Sequence, residues 1–299
     1  MKPGAGERAA QLLLALLKAL CCLALFLGAQ VLVVLPVTVA AILRAAVNGG
    51  TVDQEALARM LSEQSMAFAL VAYTLTLFIV MAFYLIRRMR FSEALWLRRV
   101  EAPTLWTGAA LAPALYLAVS TVLMVLPESW LEGYQEASTG ITSGGVVGIL
   151  AVVVAAPIVE EVIFRGLIMT RLSQAMPGWL AVLLSAAIFG ACHGDPVWFG
   201  YTFPLGVFFG FLDLRAGSIW PSILGHMAFN AIGQMTDLLR DRNVAVVLVF
   251  FLVLLVLAVA LPILDRRGIK ALFRPGAKRP VVRELPAVPG VYEFDPWDA

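Results

Sequence analysis

Residues 144–172 read GGVVGILAVVVAAPIVEEVIFRGLIMTRL, a long apolar run with two adjacent acids and an arginine in its second half. A membrane helix needs about 20 predominantly apolar residues to cross the hydrocarbon core of a bilayer, so this run is long enough to span one. A charged side chain at the centre of such a helix costs about 2.5–3.5 kcal/mol on insertion scales, and intramembrane charges therefore indicate a functional site. Glu160, Glu161 and Arg165 are the first candidate site residues.

The composition of the whole chain indicates a polytopic membrane protein. Of its 299 residues, 61% are hydrophobic and 14% are charged, whereas ordinary soluble domains are about 25% charged. The mean hydropathy is +0.89. The pattern predicts an all-α bundle of about eight transmembrane helices in a lipid bilayer, and no feature indicates a nucleic-acid partner. The predicted spans are 12–43, 66–86, 105–126, 144–172, 179–193, 198–214, 219–235 and 244–264.

The chain divides into four parts by this reading. Residues 1–143 contain three transmembrane helices and their loops, without a motif, and the first apolar run is too long for a signal peptide. Residues 144–235 hold the polar candidates, 236–264 the last transmembrane helix, and 265–299 a basic and then proline-rich tail.

The distribution of arginine and lysine predicts the orientation. Five arginines lie between residues 87 and 99 and seven basic residues between 266 and 283, whereas the loop 127–143 has three glutamates and no basic residue. Because cytoplasmic loops carry the excess of basic residues, both termini are expected in the cytoplasm. Arginine outnumbers lysine 18 to 4, and we expect a prokaryotic plasma membrane on this compositional ground.

The chain has only two histidines, and each lies in an apolar segment. His193 ends the stretch 189–193, FGACH, and His226 begins the stretch 226–230, HMAFN, which ends at Asn230. His226 and Asn230 are four residues apart and share a helix face, so they could offer two donors to a developing oxyanion. The histidines and Asn230 therefore join the candidate site.

Spacing predicts that Glu160 and His193 lie at one depth. Glu161 and Arg165 are four residues apart and can form an ion pair, which leaves Glu160 as the free carboxylate. The expected turn at Pro177 and Gly178 lies 17 residues after Glu160 and 15 before His193, or about 25 Å and about 22 Å of helix. Antiparallel helices would then let Glu160, as a general base, and His193 share a water.

Structural explanations exist for the same residues. Histidine and asparagine on membrane helices often serve only as interhelical hydrogen-bonding groups. Asp195 follows a helix break and is expected to be a turn or cap residue, and Asp213 is expected to pair with Arg215 at the membrane surface. A membrane scaffold or immunity protein, or a proton- or cation-coupled transporter, would also use buried polar residues.

The three polar clusters resemble the motifs of the CAAX prenyl endopeptidase and bacteriocin-processing family, also called the Abi or type II CAAX protease family. Its motifs are Glu-Glu-x-x-x-Arg, Phe-x-x-x-His and His-x-x-x-Asn on successive membrane helices. They are matched here in order by Glu160, Glu161 and Arg165, by Phe189 and His193, and by His226 and Asn230.

This resemblance implies an integral membrane endopeptidase acting on a membrane-bound protein or peptide. Glu160 and His193 would activate water, and His226 with Asn230 would stabilise the oxyanion. The family is often named as metalloproteases, so Zn²⁺ held by Glu160, His193 and His226 is an alternative. No His-Glu-x-x-His pair occurs, and we favour metal-free water activation, with no cofactor firmly implied.

Overall fold

A computed structural model describes residues 5–48, 50–142, 145–239 and 244–266. These residues form helices joined by short connections, and the predicted all-α class is confirmed. The predicted tail, 265–299, lies outside the described residues except for Asp265 and Arg266. The helices, in chain order, are α1 (Ala5–Val47), α2 (Gln54–Glu63), α3 (Ser65–Ile86), α4 (Phe91–Ala94), α5 (Ala102–Val125), α6 (Glu128–Thr142), α7 (Gly145–Leu172), α8 (Gly178–Ala191), α9 (Pro196–Ala216), α10 (Trp220–Leu239) and α11 (Val244–Leu264).

Within the described ranges, six helices are long and apolar enough to cross a membrane: α1, α3, α5, α7, α9 and α11. The other two predicted spans coincide with α8, which is a shorter apolar helix of 14 residues, and with α10, which has 20 residues. The count of about eight spans therefore stays a prediction. The six long apolar helices support an integral membrane protein. The short helices α2, α4 and α6 were not predicted, because none is apolar enough to read as a span.

Helix α7 lies at the centre of the bundle. All nine residues from Glu161 to Met169 are buried, and the apolar ones pack into the main core cluster with residues of α1, α3, α8 and α10. A helix that is buried on every side can keep charged residues only if they find partners within the protein. The centre of the fold is thus also the segment that carries Glu160, Glu161 and Arg165.

Helices α5 and α10 approach each other backbone to backbone. A Cβ atom added at Gly108 would collide with the carbonyl of Pro221, and one added at Gly225 would lie 2.9 Å from the carbonyl carbon of Gly108. Small residues allow this close approach in membrane bundles. Because His226 directly follows Gly225, the contact fixes the position of the helix that carries His226 and Asn230.

Candidate active site

The backbone of α7 departs from regular α-helical geometry on both sides of Glu160. It is π-helical over Leu150–Ala155 and over Glu161–Met169. Such i→i+5 stretches are rare and are frequent at functional sites. The sequence interpretation assumed a regular helix here, and it missed this feature because an apolar run carries no signal for a π-helical register.

Pro157 leaves one carbonyl of α7 without a partner in the helix. The N–H of Ala156 bonds to the carbonyl oxygen of Ala151, five residues back. The next bond in this register would run from residue 157 to Val152, but proline has no N–H. The Nδ2 group of Asn230 donates to the Val152 oxygen instead, at 2.8 Å. Asn230 is therefore held against α7 by one of its two amide hydrogens.

Glu161 and Arg165 form the predicted ion pair. Nε of Arg165 lies 3.2 Å from Oε2 of Glu161, and the two side chains are 1% and 0% exposed. The guanidinium also lies over the ring of Phe189, 4.5 Å from its centroid. It fits there because position 206 is glycine, where an added Cβ would come within 3.1 Å of Nη2. The pair is fully enclosed by protein.

His226 connects the two glutamates, which the sequence analysis did not predict. Its Nδ1 lies 2.9 Å from Oε1 of Glu161, and its Nε2 lies 3.8 Å from Oε2 of Glu160. The ring stacks on Phe209, with centroids 5.9 Å apart and planes 22° apart. The buried ion pair thus orients the imidazole, and the opposite nitrogen faces Glu160.

Glu160 differs from Glu161 in its surroundings. It has no arginine or lysine partner among the described residues, and the hydroxyl of Tyr73 donates to its Oε1 at 3.4 Å. Tyr73 belongs to α3, where no motif was recognised. The sequence did offer one signal that could have identified Tyr73: a buried tyrosine hydroxyl in an apolar span usually needs a hydrogen-bond partner.

His193 lies just past the end of α8, and its Nδ1 lies 2.9 Å from the carbonyl oxygen of Phe189. A carbonyl can only accept, so Nδ1 carries the proton and Nε2 of the neutral ring keeps a lone pair. The ring packs edge-on against Phe189 and Trp198, with centroid distances of 4.9 and 5.9 Å. These contacts fix both the tautomer and the orientation.

One cavity of about 380 Å³ brings the candidates together. Glu160, His193, His226 and Asn230 all line it, whereas Glu161 and Arg165 do not. Its wall is mainly aromatic and aliphatic, and its polar lining residues outside the candidate set include Tyr73, Ser120, Tyr134, Gln234 and Asp237. Several of these lie near the end of α5, the end of α10 and on α6, so the cavity extends toward the end of the bundle opposite the arginine-rich loop.

The alternative zinc ligands do not assemble. In the part of the chain that the structure describes, no group of three or more His, Cys, Asp or Glu side chains could hold a metal ion. His226 uses Nδ1 on Glu161, and its Nε2 is 3.8 Å from Glu160. The arrangement of Glu160, His193 and His226 does not fit a three-ligand site, and no step below involves a metal.

The two weaker candidates have clear positions. Asp195 is the N-cap of α9, as predicted, and its side chain accepts from the N–H groups of Val197 and Trp198. Asp213, which was expected to pair with Arg215 at the membrane surface, has a side chain that is fully buried within the protein. The reason is that α9 packs its Asp213 face inward, where Glu161 and Arg165 are the charges that act on it.

Comparisons with known proteins find similarity over part of this chain. The family model described as type II CAAX prenyl endopeptidase Rce1-like matches residues 142–232. A Bacillus subtilis (strain 168) protein named "Putative membrane peptidase YdiL" is 34% identical over 87 residues, which span 29% of this chain and 36% of that relative. No solved structure matches significantly. The family-model match includes all six candidate residues, and the motif-bearing part of the chain, residues 142–232, is similar to the type II CAAX prenyl endopeptidase Rce1-like family.

Proposed function

We propose that this chain is an intramembrane endopeptidase that hydrolyses a peptide bond of a membrane-associated protein or peptide. One observation carries the proposal: the four side chains that hydrolysis needs, Glu160, His193, His226 and Asn230, line a single cavity. A mostly apolar cavity with a few convergent polar groups is the usual form of a ligand site. The substrate is either a prenylated CAAX protein or a peptide matured in the membrane.

In this proposal Glu160 and His193 hold the attacking water. Glu160 is a carboxylate without a cationic Lys or Arg partner among the described residues, so it is available to accept a proton. Nε2 of His193 is an acceptor because Nδ1 donates to Phe189. The water oxygen attacks the carbonyl carbon while its proton passes to Glu160. When the C–N bond breaks, Glu160 returns that proton to the leaving nitrogen.

His226 and Asn230 would stabilise the oxyanion. If Nδ1 of His226 donates to Glu161, a donor role for Nε2 requires the doubly protonated ring. Asn230 has one amide hydrogen left after its bond to Val152, and this hydrogen is the one assigned to the oxyanion.

The test of the activity is a comparison of membrane-associated peptides. Membranes from cells that produce the chain are compared by mass spectrometry with membranes from cells that lack it. The proposal expects new peptide termini that depend on the chain, and the cleaved protein names the substrate class. If no termini differ while the chain is abundant, a scaffold, immunity or transport role becomes the better account.

Removal of metal tests the chemistry. We expect the purified chain to keep its turnover after treatment with a strong chelator, because Glu160 itself accepts the proton from water. Turnover of a model peptide is measured before and after treatment. Complete loss that only zinc restores would contradict the metal-free mechanism and move Glu160, His193 and His226 into ligand roles.

Replacement of Asn230 tests the oxyanion assignment. Asn230→Ala should lower kcat by about 100–1000-fold, the usual effect of losing one oxyanion donor. The matched control is Gln234→Ala, which removes another cavity-lining amide one turn further along α10. Steady-state kinetics are compared at equal amounts of folded protein. Equal, small effects of both variants would assign Asn230 to holding the Val152 carbonyl alone.

The cellular membrane and the orientation of the chain are proposed from the distribution of basic residues. We propose an integral protein of a prokaryotic plasma membrane with both termini in the cytoplasm, supported by the arginine-rich segment between α3 and α5.

A further inference from the structure

One face of α10 is polar from the candidate site to the far end of the helix. His226, Asn230, Gln234 and Asp237 follow one another at intervals of four, four and three residues, so they share a face, and all four line the cavity. From His226 to Asp237 there are 11 residues, or roughly 16 Å of helix. Half of a bilayer core is about 15 Å thick. This polar stripe therefore reaches from the site to the membrane boundary and can be hydrated along its length.

The bundle is tightly packed on the other side of the site, toward the arginine-rich segment between α3 and α5. There the next side chains on four helices are buried, and none of them lines the cavity. They are Val80 on α3, Leu167 and Ile168 on α7, Leu212 on α9 and Ser222 on α10.

The arginine-rich segment itself folds against this closed end. Leu95 and Trp96 are buried, and the N–H of Ile219 donates to the carbonyl oxygen of Trp96 at 3.0 Å. The Leu95 carbonyl lies so close to α7 that a Cβ atom added at Gly166 would come within 3.0 Å of its oxygen. The segment thus packs between α7 and the start of α10, over the end of the bundle opposite the polar stripe.

Aromatic side chains surround the mouth of the cavity, which is the end that the polar stripe reaches. Tyr134 of α6 packs edge-on against Trp198 and Tyr201 of α9, with ring centroids 5.9 and 6.3 Å apart, and all three line the cavity. Trp130, one turn earlier on α6, is exposed. Tryptophan and tyrosine concentrate at membrane–water interfaces, because their rings are apolar and carry one polar group. The mouth therefore lies at an interface, where water and a peptide can enter.

The distribution of basic residues relates the mouth to one side of the membrane. The segments at the mouth end carry four basic residues, Arg44, Arg59, Arg240 and Arg242. At the closed end, five arginines lie between residues 87 and 99, and seven basic residues follow α11 between 266 and 283. Because the excess of basic residues marks the cytoplasmic side, the closed end faces the cytoplasm and the mouth faces away from it.

We propose that this chain cleaves its substrate from the non-cytoplasmic side of the membrane. The substrates are then exported peptides or membrane proteins with a segment on that side, an assignment that rests on the peptidase activity proposed above. An extended peptide enters at the aromatic mouth, follows the polar stripe and presents a carbonyl group to the water held by Glu160 and His193. The stripe has room for about five extended residues between the interface and the cleaved bond.

The proposal also decides between the two substrate classes named above. A lipid-anchored protein on the cytoplasmic face would meet the closed end, where Leu95 and Trp96 pack against the bundle. A peptide that is matured in the membrane and leaves on the far side would meet the open mouth. The second class is therefore the one that fits the geometry.

Cysteine labelling tests the side of the mouth without requiring activity. Ser120 of α5 lines the cavity, whereas Ala118 on the same helix is exposed and does not line it. Each is replaced by cysteine in a whole chain whose three native cysteines are changed to alanine, and spheroplasts are treated with a membrane-impermeant sulfonated maleimide. We expect Ser120→Cys to be labelled in intact spheroplasts, because water fills the cavity from outside. Ala118→Cys should stay unlabelled, because a thiol in lipid does not ionise.

Two further positions control for sidedness and for folding. Arg90→Cys, in the exposed part of the arginine-rich segment, should be labelled only after the spheroplasts are permeabilised. Gln234→Cys is a second cavity reporter, on α10, and should behave like Ser120→Cys. Cavity reporters that stay unlabelled in intact spheroplasts would overturn the proposal, and so would equal labelling of Ser120→Cys and Ala118→Cys.

The positions of the cleaved bonds separate this proposal from the peptidase activity itself. In the comparison of membrane-associated peptides, the termini that depend on the chain should lie in non-cytoplasmic segments. Termini confined to cytoplasmic segments would support a peptidase but overturn the assignment of its side. If no terminus depended on the chain, the peptidase and its substrate class would both be contradicted, even where labelling places the mouth outside.

Discussion

Glu160→Gln is expected to abolish peptide cleavage while leaving the amount of folded protein near normal. The amide keeps the size of the side chain and can still accept from Tyr73, so the contacts of the cavity wall are retained. The amide cannot accept a proton from water, so general acid–base catalysis is lost in this variant. Product formation by purified protein in liposomes, together with the yield from membranes, measures both effects.

The matched control is Glu132→Gln on α6. Glu132 is exposed and does not line the cavity, so this variant loses the same charge without touching the site. We expect wild-type turnover from it. Undiminished processing by Glu160→Gln protein would remove Glu160 from catalysis and favour a scaffold or relay role for the buried acids.

Arg165→Ala is expected mainly to lower the stability of the folded protein. It would leave the carboxylate of Glu161, which is 0% exposed, with only His226 as a charged partner. Breaking a buried pair by removing one partner costs about 3–5 kcal/mol. That is a large share of the roughly 5–15 kcal/mol of a typical folded protein. The amount of folded protein in membranes and its Tm should both fall sharply.

An exposed pair of the same spacing provides the control. Arg59 and Glu55 on α2 are also four residues apart, with nitrogen and oxygen 3.6 Å apart, but their side chains are 65% and 89% exposed. Exposed pairs contribute about 0–1 kcal/mol, so Arg59→Ala should change little. If Arg165→Ala protein were as abundant as Arg59→Ala protein, the ion pair would not be the structural element described above.

A double substitution separates the role in folding from the role in chemistry. Glu161→Leu combined with Arg165→Met removes both charges and refills the space with apolar atoms, a change that is often neutral for buried pairs. We expect abundance to recover relative to Arg165→Ala. Turnover should stay low, because His226 would lose the acceptor that orients its ring.

Much of the fold could be predicted from hydropathy, because lipid requires long apolar helices wherever the chain crosses the membrane. Each of the eight predicted spans falls on a helix. The helices α2 and α6 were missed because their residues are mixed in polarity and lie outside the spans. The extra length of α1 was missed as well, since helix ends outside the membrane carry no hydropathy signal.

The residues of the candidate site could be predicted from the sequence, but most of the contacts between them could not. Spacing along one helix gave the Glu161 and Arg165 pair, because i,i+4 neighbours share a face. It could not give the bond between His226 and Glu161, which are 65 residues apart. That bond depends on the tilt and depth of α10, and these follow from the backbone contact at Gly108 and Gly225. The contribution of Tyr73 was likewise invisible, since long-range packing brings α3 to Glu160.

The carbonyl of Val152, which accepts from Asn230 instead of from a helix N–H, affects which motif residues a relative of this chain would keep. A descendant that had lost peptidase activity but kept its fold would be free to change Glu160 and His193. It would retain Asn230, because Pro157 leaves that carbonyl in need of a donor, and it would retain the buried charge pair for its stability. Such an inactive protein would still carry most of the three motifs. Glu160 and His193 together are therefore the better sign of an active peptidase than the motif set as a whole.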